Sequence, residues 1–331
     1  MNSRPAWPPL VRPVIGIAIS AAFVGATLTR VDLDVLTKAW GTVDITILGL
    51  AAMVSFAEVG VRSIRWVVLL RPLAHPTFAV ALGYLSIGHL ANAVLPARLG
   101  DVARAYLAGG RFRASRVSVF GTIAVERIAD AGLLAAAAGA GILVGYTDLA
   151  PALMVLVLLV VGCIFAAVLV ALALDREAIG STRIAALIRV YAGRFAVGAA
   201  SLKRGASLAA VATLTMLSFG LAVAIMHTVS IAVGLSLPLW QSALIVAAVT
   251  LSTAIPAGPA SLGTYEFVGV SVMSSMGLPP EPSLLAVGLV HAVATIVPAS
   301  MGLVAMWAMG LRRIVPKPRL GVRGTNPRGA G

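Results

Sequence analysis

Six stretches of the chain are apolar over a length that matters to a membrane: 13–29, 45–61, 117–146, 151–174, 207–234 and 284–311. A helix needs about 20 apolar residues to cross the hydrocarbon core of a bilayer. The runs are rich in Ala, Leu and Val and lack the strict alternation of a membrane β-strand, so each predicts a helix. The stretch 45–61 is short of apolar residues but extends through Trp66 to Leu70. Two further apolar stretches are interrupted. Residues 78–95 (FAVALGYLSIGHLANAVL) hold Gly83, Gly88, His89 and Asn92 and stop at Pro96. Residues 241–277 are broken in the middle by IPAGPASLGTYE, with Pro256, Gly258 and Gly263, which no continuous helix tolerates.

The basic residues settle how these segments are threaded. Of 25 Arg and Lys, two precede the first span, three lie at 62–71, five at 98–116, six at 176–204 and six at 312–328. Arg30 and Lys38 share a loop with Asp32, Asp34 and Asp44, and Arg127 lies inside a span. The positive-inside rule places the five basic clusters, and both termini, in the cytoplasm. For 62–71 and 98–116 to share a side, 78–95 must enter and leave by one face. By the same logic 241–277 dips in from the opposite face. The expected fold is therefore an all-α polytopic membrane protein with six full spans and two re-entrant helical hairpins from opposite faces. Residues 1–147 and 151–311 then have the same order of elements and opposite orientation. Inverted repeats with broken helices meeting near the midplane mark secondary transporters. No residue-level identity links the halves, so coincidence stays the competing explanation.

Composition agrees. The chain has 331 residues, 60% of them hydrophobic and only 11% charged, with a mean hydropathy of +1.00. Soluble domains carry roughly 25% charged residues, so a soluble enzyme is excluded. The net charge of +13 would point to nucleic acid in a soluble protein. Here basic residues mark cytoplasmic loops and attract anionic lipid head groups, and no nucleic-acid partner is expected. The single cysteine, Cys163, permits no disulfide framework. The first apolar run lacks an A-x-A cleavage site and reads as a span rather than a removed signal peptide. Residues 176–204 alternate Arg with Ile, Leu, Val and Phe and predict an amphipathic cytoplasmic helix. The tail 313–331, rich in Gly, Pro and Arg, predicts a basic disordered segment. High Ala, Val, Arg and Gly fit a GC-rich bacterial genome and hence a bacterial inner membrane.

Ionisable groups inside a membrane are expensive and are functional candidates by default. Glu126, Arg127 and Asp130 lie about ten residues into a span. Glu126 and Asp130, four apart, share a helix face, and Arg127 is three from Asp130. They are either part of a polar, proton-carrying cavity or a structural ion pair tying two helices. In ANAVLPARLGDVARAYL, Pro96 and Gly100 shape a turn, and Arg98, Asp101 and Arg104 recur at threes on the helix that follows. Arg98, Arg104, Arg127 and Asn92 are candidates to hold a lipid phosphate, since arginine binds phosphate bidentately. An ordinary basic loop is the alternative. Glu266 follows the Pro256–Gly263 break; a carboxyl buried there either carries a proton or caps the returning helix. Glu58, Arg62 and Arg65 close the second span, where Glu58 and Arg62 make a four-residue helical pair of the snorkelling type. His75, His89, His227 and His291 show no metal-ligand spacing, no ATP-binding or serine-nucleophile motif occurs, and neither catalytic residues, metal nor cofactor are expected.

Three motifs stand in order: N-x-x-x-P-x-R-x-G-[DE]-x-x-R from Asn92 to Arg104, E-R-x-x-D from Glu126 to Asp130, and P-x-G-x-x-x-x-G-x-x-E from Pro256 to Glu266. The set resembles the transmembrane, flippase-like domain of lysylphosphatidylglycerol synthases and the YbhN-type proteins made of that domain alone. The resemblance covers about residues 10–312. It implies one lipid-handling domain, 1–312, in which Arg98, Asp101, Arg104, Glu126, Arg127, Asp130 and Glu266 match the family's polar positions. Asp101 stands where many members have Glu. The residues after Leu311 are too few for the aminoacyl-transferase domain of the full synthases, so aminoacylation of lipid is not expected. The reading is a translocator of an anionic lipid or polyprenyl-phosphate-linked lipid. An intramembrane lipid-modifying enzyme and a non-catalytic partner of an envelope-synthesis system are the alternatives.

Overall fold

The computed structural model describes residues 11–95, 99–143, 193, 197–198, 200, 205–253 and 258–310. Ten α-helices cover them: α1 (Val11–Leu28), α2 (Leu33–Trp40), α3 (Ile45–Leu70), α4 (Phe78–Val94), α5 (Gly100–Phe112), α6 (Arg116–Leu143), α7 (Gly205–Ala232), α8 (Leu239–Ser252), α9 (Thr264–Ser275) and α10 (Pro280–Ala308). One 3-10 turn, Pro259–Ser261, precedes α9. The expected span at 151–174, the tail 313–331 and all but four residues of 176–204 lie outside the described residues, as do Pro96, Arg98 and Pro256.

Among the described residues, α3, α7 and α10 are long and apolar enough to cross a membrane, and α1 with α2 makes a fourth if that pair, bent by 88°, counts as one span. At 28 residues, α6 is about 42 Å long at 1.5 Å per residue, and it carries Glu126, Arg127 and Asp130 near its middle. Large apolar side chains stand outward on the long helices: Met53 on α3, Met216 on α7, and Ile296, Val304 and Trp307 on α10. Apolar surface on this scale needs a cover, and a bilayer supplies one. The chain is a helical membrane protein.

Helix α2 is an addition to what the pattern predicts. The stretch reads as a charged loop because Asp32, Asp34, Lys38 and Asp44 dominate it. Asp32 instead caps a short helix, its carboxylate accepting from the backbone N–H of Asp34 and Val35, and Asp44 caps α3 in the same way through Thr46 and Ile47. The Asp44 N–H donates to Ala232 O at 2.9 Å, which ties the start of α3 to the end of α7.

Two apolar cores form. One is built mainly from α7 to α10, with Met226, Ile245, Met273 and Val287. The other is built mainly from α3 to α6, with Trp66, Leu69, Tyr84 and Ile123. Helix α10 joins them by lying across α4, where Gly302 sits directly on Ser86 and Leu90. A Cβ at position 302 would overlap the Ser86 carbonyl and come within 2.8 Å of Leu90 Cβ, so the glycine sets the closeness of the two helices. Gly302→Val is therefore expected to lower stability by about 1–3 kcal/mol through overpacking. Gly83→Ala, whose Cβ would overlap the flexible end of Met309 and make ordinary contact with Ala305, is expected to be tolerated. Thermal unfolding of the two variants in detergent checks the contrast; equal melting would refute it.

Candidate functional site

The charged residues of three helices meet in one buried network. Glu126 and Asp130 share a face of α6, and that face is turned to Arg65 on α3. The Arg65 side chain is fully buried. Its Nη1 donates to Asp130 Oδ1 at 2.5 Å and to Thr215 Oγ1 of α7 at 2.8 Å, and its Nη2 donates to Glu126 Oε1 at 3.2 Å and Asp130 Oδ2 at 3.1 Å. The other Glu126 oxygen accepts from Arg104 Nη2 of α5 at 2.9 Å. The Arg104 guanidinium lies over the Trp66 ring, 3.7 Å from its centroid, and Trp66 Nε1 donates to Thr122 Oγ1 of α6 at 3.0 Å. Arg127, one residue round α6, faces α5 instead, where Asp101 accepts from its Nε at 3.1 Å and its Nη2 at 2.9 Å. This fork-to-fork geometry fixes the guanidinium plane.

Two helix breaks border this network. At the first, between α4 and α5, Asn92 Oδ1 accepts from Gly100 N–H at 2.8 Å. Gly100 is held so close to Gly88 O and Asn92 that any Cβ would overlap both. The second, between α8 and α9, is a strained turn. Ala260 and Ser261 adopt φ of 54° and 60°, a left-handed conformation that costs about 1–3 kcal/mol for each non-glycine residue. Several bonds hold it. Gly258 N–H donates to Ser20 Oγ of α1 at 2.9 Å. Gly263 N–H donates to Glu266 Oε2 at 2.7 Å. His291 of α10 spans the turn, with Nε2 2.9 Å from Ala260 O and Nδ1 2.5 Å from Glu266 Oε1, and Tyr265 stacks on its ring at 4.3 Å. Because Ala260 O only accepts, Nε2 carries a hydrogen, and the Nδ1–Oε1 contact then holds one more proton between imidazole and carboxyl.

Between the breaks lies a cavity of about 540 Å³, within the 300–1,000 Å³ usual for small-ligand sites. Glu58, Arg62, His89, Asn92, Arg127 and Asp130 line one side of it, and Gly258, Ser261, Tyr265 and His291 line the other. Hydroxyls of Ser55, Thr215, Ser218 and Thr250 complete the polar wall.

Of the residues singled out in the sequence, Asn92, Arg127, Asp130 and Gly258 reach this cavity. Arg104 and Glu126 do not. They are buried behind its wall and committed to each other. Asp101 stands behind Arg127 as its orienting partner, and Glu266 stands behind His291. Gly100 packs at the first break, and Gly263 packs against Ser20 and Val24 of α1. Sequence reasoning passed over Arg65 as a central cation, treated Glu58 and Arg62 as surface anchors, and gave His291 no role. A signal for the first three exists: Glu58, Arg62 and Arg65 fall at spacings of four and three, one stripe of α3, which matches the inward stripe of α6. His291 offers no such signal, being a lone histidine in an apolar helix.

The glycosyltransferase AglD of Haloferax volcanii is 30% identical over 148 residues, a match covering 42% of this chain and 24% of that protein. The chain thus spans about a quarter of that relative's length. Residues 14–302, which include both helix breaks and the whole ion network, match the family described as the lysylphosphatidylglycerol synthase TM region. The chain belongs to that family.

Proposed function

We propose that this protein moves an anionic, phosphate-bearing lipid between the leaflets of a bacterial inner membrane, with the head group passing through the cavity and the acyl or prenyl chains remaining in lipid. The observation that carries the reading is the cavity itself, a charged and hydroxyl-lined space between two helix breaks in a molecule whose outer faces are apolar. The threading read from the basic clusters makes 78–95 re-entrant from the cytoplasm and 241–277 from outside; since Phe78–Val94 is one unbroken helix, the first hairpin of this reading takes α5 as its returning arm, and the second pairs α8 with α9. The six spans and the inverted halves follow from the same threading. Breaks that meet from opposite faces are how transporters place polar backbone at membrane depth. A second reading, a lipid-modifying enzyme, draws on the name of the archaeal relative. The carboxylates of α6 are all held by arginines, which favours holding a charged group over general-base chemistry.

Purified protein in liposomes, with fluorescent phosphatidylglycerol or a labelled polyprenyl phosphate, tests the proposal. Lipid movement that Arg127→Ala abolishes is the expected result. Chemical change in the lipid would establish the enzyme instead. No movement by a folded protein would favour a partner role in envelope synthesis. The Glu266–His291 pair is the proposed coupling point to protons, with Tyr265 the titratable neighbour stacked on it. Glu266→Gln is expected to flatten the pH dependence of transport, and an unchanged profile would end that idea.

A further inference from the structure

Arg62 is a cavity-facing cation whose partner is supplied by its own helix. Glu58, one turn earlier on α3, pairs with it. Glu58 also has a second partner ready, since Ser218 Oγ of α7 donates to Glu58 Oε1 at 2.9 Å. Beside this pair stands His89 of α4. Its Nε2 is fully buried and has no hydrogen-bond partner among the described residues. The largest charges acting on it are those of Arg62, Arg127 and Arg104, with Asp101 opposing them. Asn92, one turn further along α4, spends its Oδ1 on Gly100 and keeps its amide NH₂ as a donor. Arg127 is oriented by Asp101 through Nε and Nη2, while its Nη1 comes no nearer to Asp130 than 4.0 Å. All four side chains line the same cavity.

We infer that Arg62, His89, Asn92 and Arg127 form the seat for the phosphate of the cargo, and that Glu58 is a resident carboxylate that occupies the seat when it is empty. The chemistry is one of exchange. A phosphate accepts two parallel N–H bonds from a guanidinium as a carboxylate does, with more charge and more acceptor oxygens. On arrival it takes Arg62 from Glu58, and Glu58 turns to the Ser218 hydroxyl that already touches it. The exchange leaves no guanidinium unpaired in either state, which a cavity that fills and empties within a membrane requires. Arg104, held by Glu126 and Trp66, takes no part. The inference rests on the lipid reading for the identity of the cargo, but the seat itself requires only a phosphate group.

The test is binding by the full chain in detergent, measured by calorimetry with dioctanoyl phosphatidylglycerol and, separately, inorganic phosphate. Glu58→Gln, which removes the competitor, is expected to tighten lipid binding by about five- to tenfold, the size of one part-buried ion pair. Arg62→Ala is expected to weaken it by tenfold or more, and His89→Ala by a smaller factor. Arg62→Lys, which keeps the charge without the fork, should fall between wild type and alanine and stands in if Arg62→Ala fails to fold. A gain of affinity in Glu58→Gln cannot come from misfolding. Unchanged or weaker binding in Glu58→Gln, or wild-type binding in Arg62→Lys, overturns the seat. If inorganic phosphate binds as tightly as the lipid and shows the same variant pattern, the seat stands and its source is free phosphate. If the variants behave as expected while liposomes show no lipid movement, the seat stands and translocation falls. Lipid movement with no variant effect on binding gives the reverse.

Discussion

Arg65→Ala is expected to destabilise the protein by about 3–5 kcal/mol, the cost of removing one partner from a buried ion network. Arg65 is the point at which α3 is joined to α6 by charge, through Asp130 and Glu126, and to α7 by a hydrogen bond to Thr215. Without it, Glu126 keeps Arg104, but Asp130 is left with Arg127 at 4.0 Å. Asp130, part-exposed on the cavity wall, loses its nearest counter-charge, and the fully buried Glu126 loses one of the two arginines that compensate its lost hydration. Domains of ordinary stability have only about 5–15 kcal/mol in total, so the melting temperature in detergent should fall on the order of 10 °C. Arg65→Met combined with Asp130→Asn should recover much of the loss, because the stranded charge goes with the arginine while Glu126 keeps Arg104. Wild-type melting in Arg65→Ala, or a double variant worse than the single one, would show that the network does not hold the helices together.

Gly100→Val should damage both fold and function. Its side chain would overlap Gly88 O and Asn92, the contacts that hold α4 against α5. The strain alone is about 1–3 kcal/mol, occasionally more. The break must also open, which frees Gly100 N–H from Asn92 and shifts Asn92 and His89 on the cavity wall. Gly110→Ala provides the control on the same helix, since a Cβ there meets nothing within 4 Å. It should leave lipid binding unchanged and raise stability by about 0.5–1 kcal/mol. Melting and lipid-binding measurements on both variants decide the matter, and two variants that behave alike would remove the close approach at the first break as its cause.

The described helices fall close to where the hydropathy pattern predicts them. The interruptions before Gly100 and around Gly258 fall in the loops between α4 and α5 and between α8 and α9. These features were legible because they are local. A backbone in lipid must satisfy its own hydrogen bonds, so long apolar runs have no choice but helix, and Pro and Gly end a helix by properties of their own residues. The short helix α2 was hidden because its capping aspartate, Asp32, reads as a loop charge together with Asp34, Lys38 and Asp44.

The charge network was only half legible. That Glu126 and Asp130 share a face follows from a four-residue spacing, and the sequence alone determines it. Which arginine they meet does not follow. Arg127 is the near neighbour along the chain, yet it turns to Asp101 on α5, while Arg65, more than sixty residues away, takes both carboxylates. Glu58, Arg62 and His89 become a cavity wall, and His291 the clasp of a strained turn, only once α3, α4 and α10 are packed. Helix and membrane are decided by each segment's own backbone and hydropathy; ion pairs and cavities are decided by the rotation and closeness of helices distant in the chain, which only the packed structure specifies.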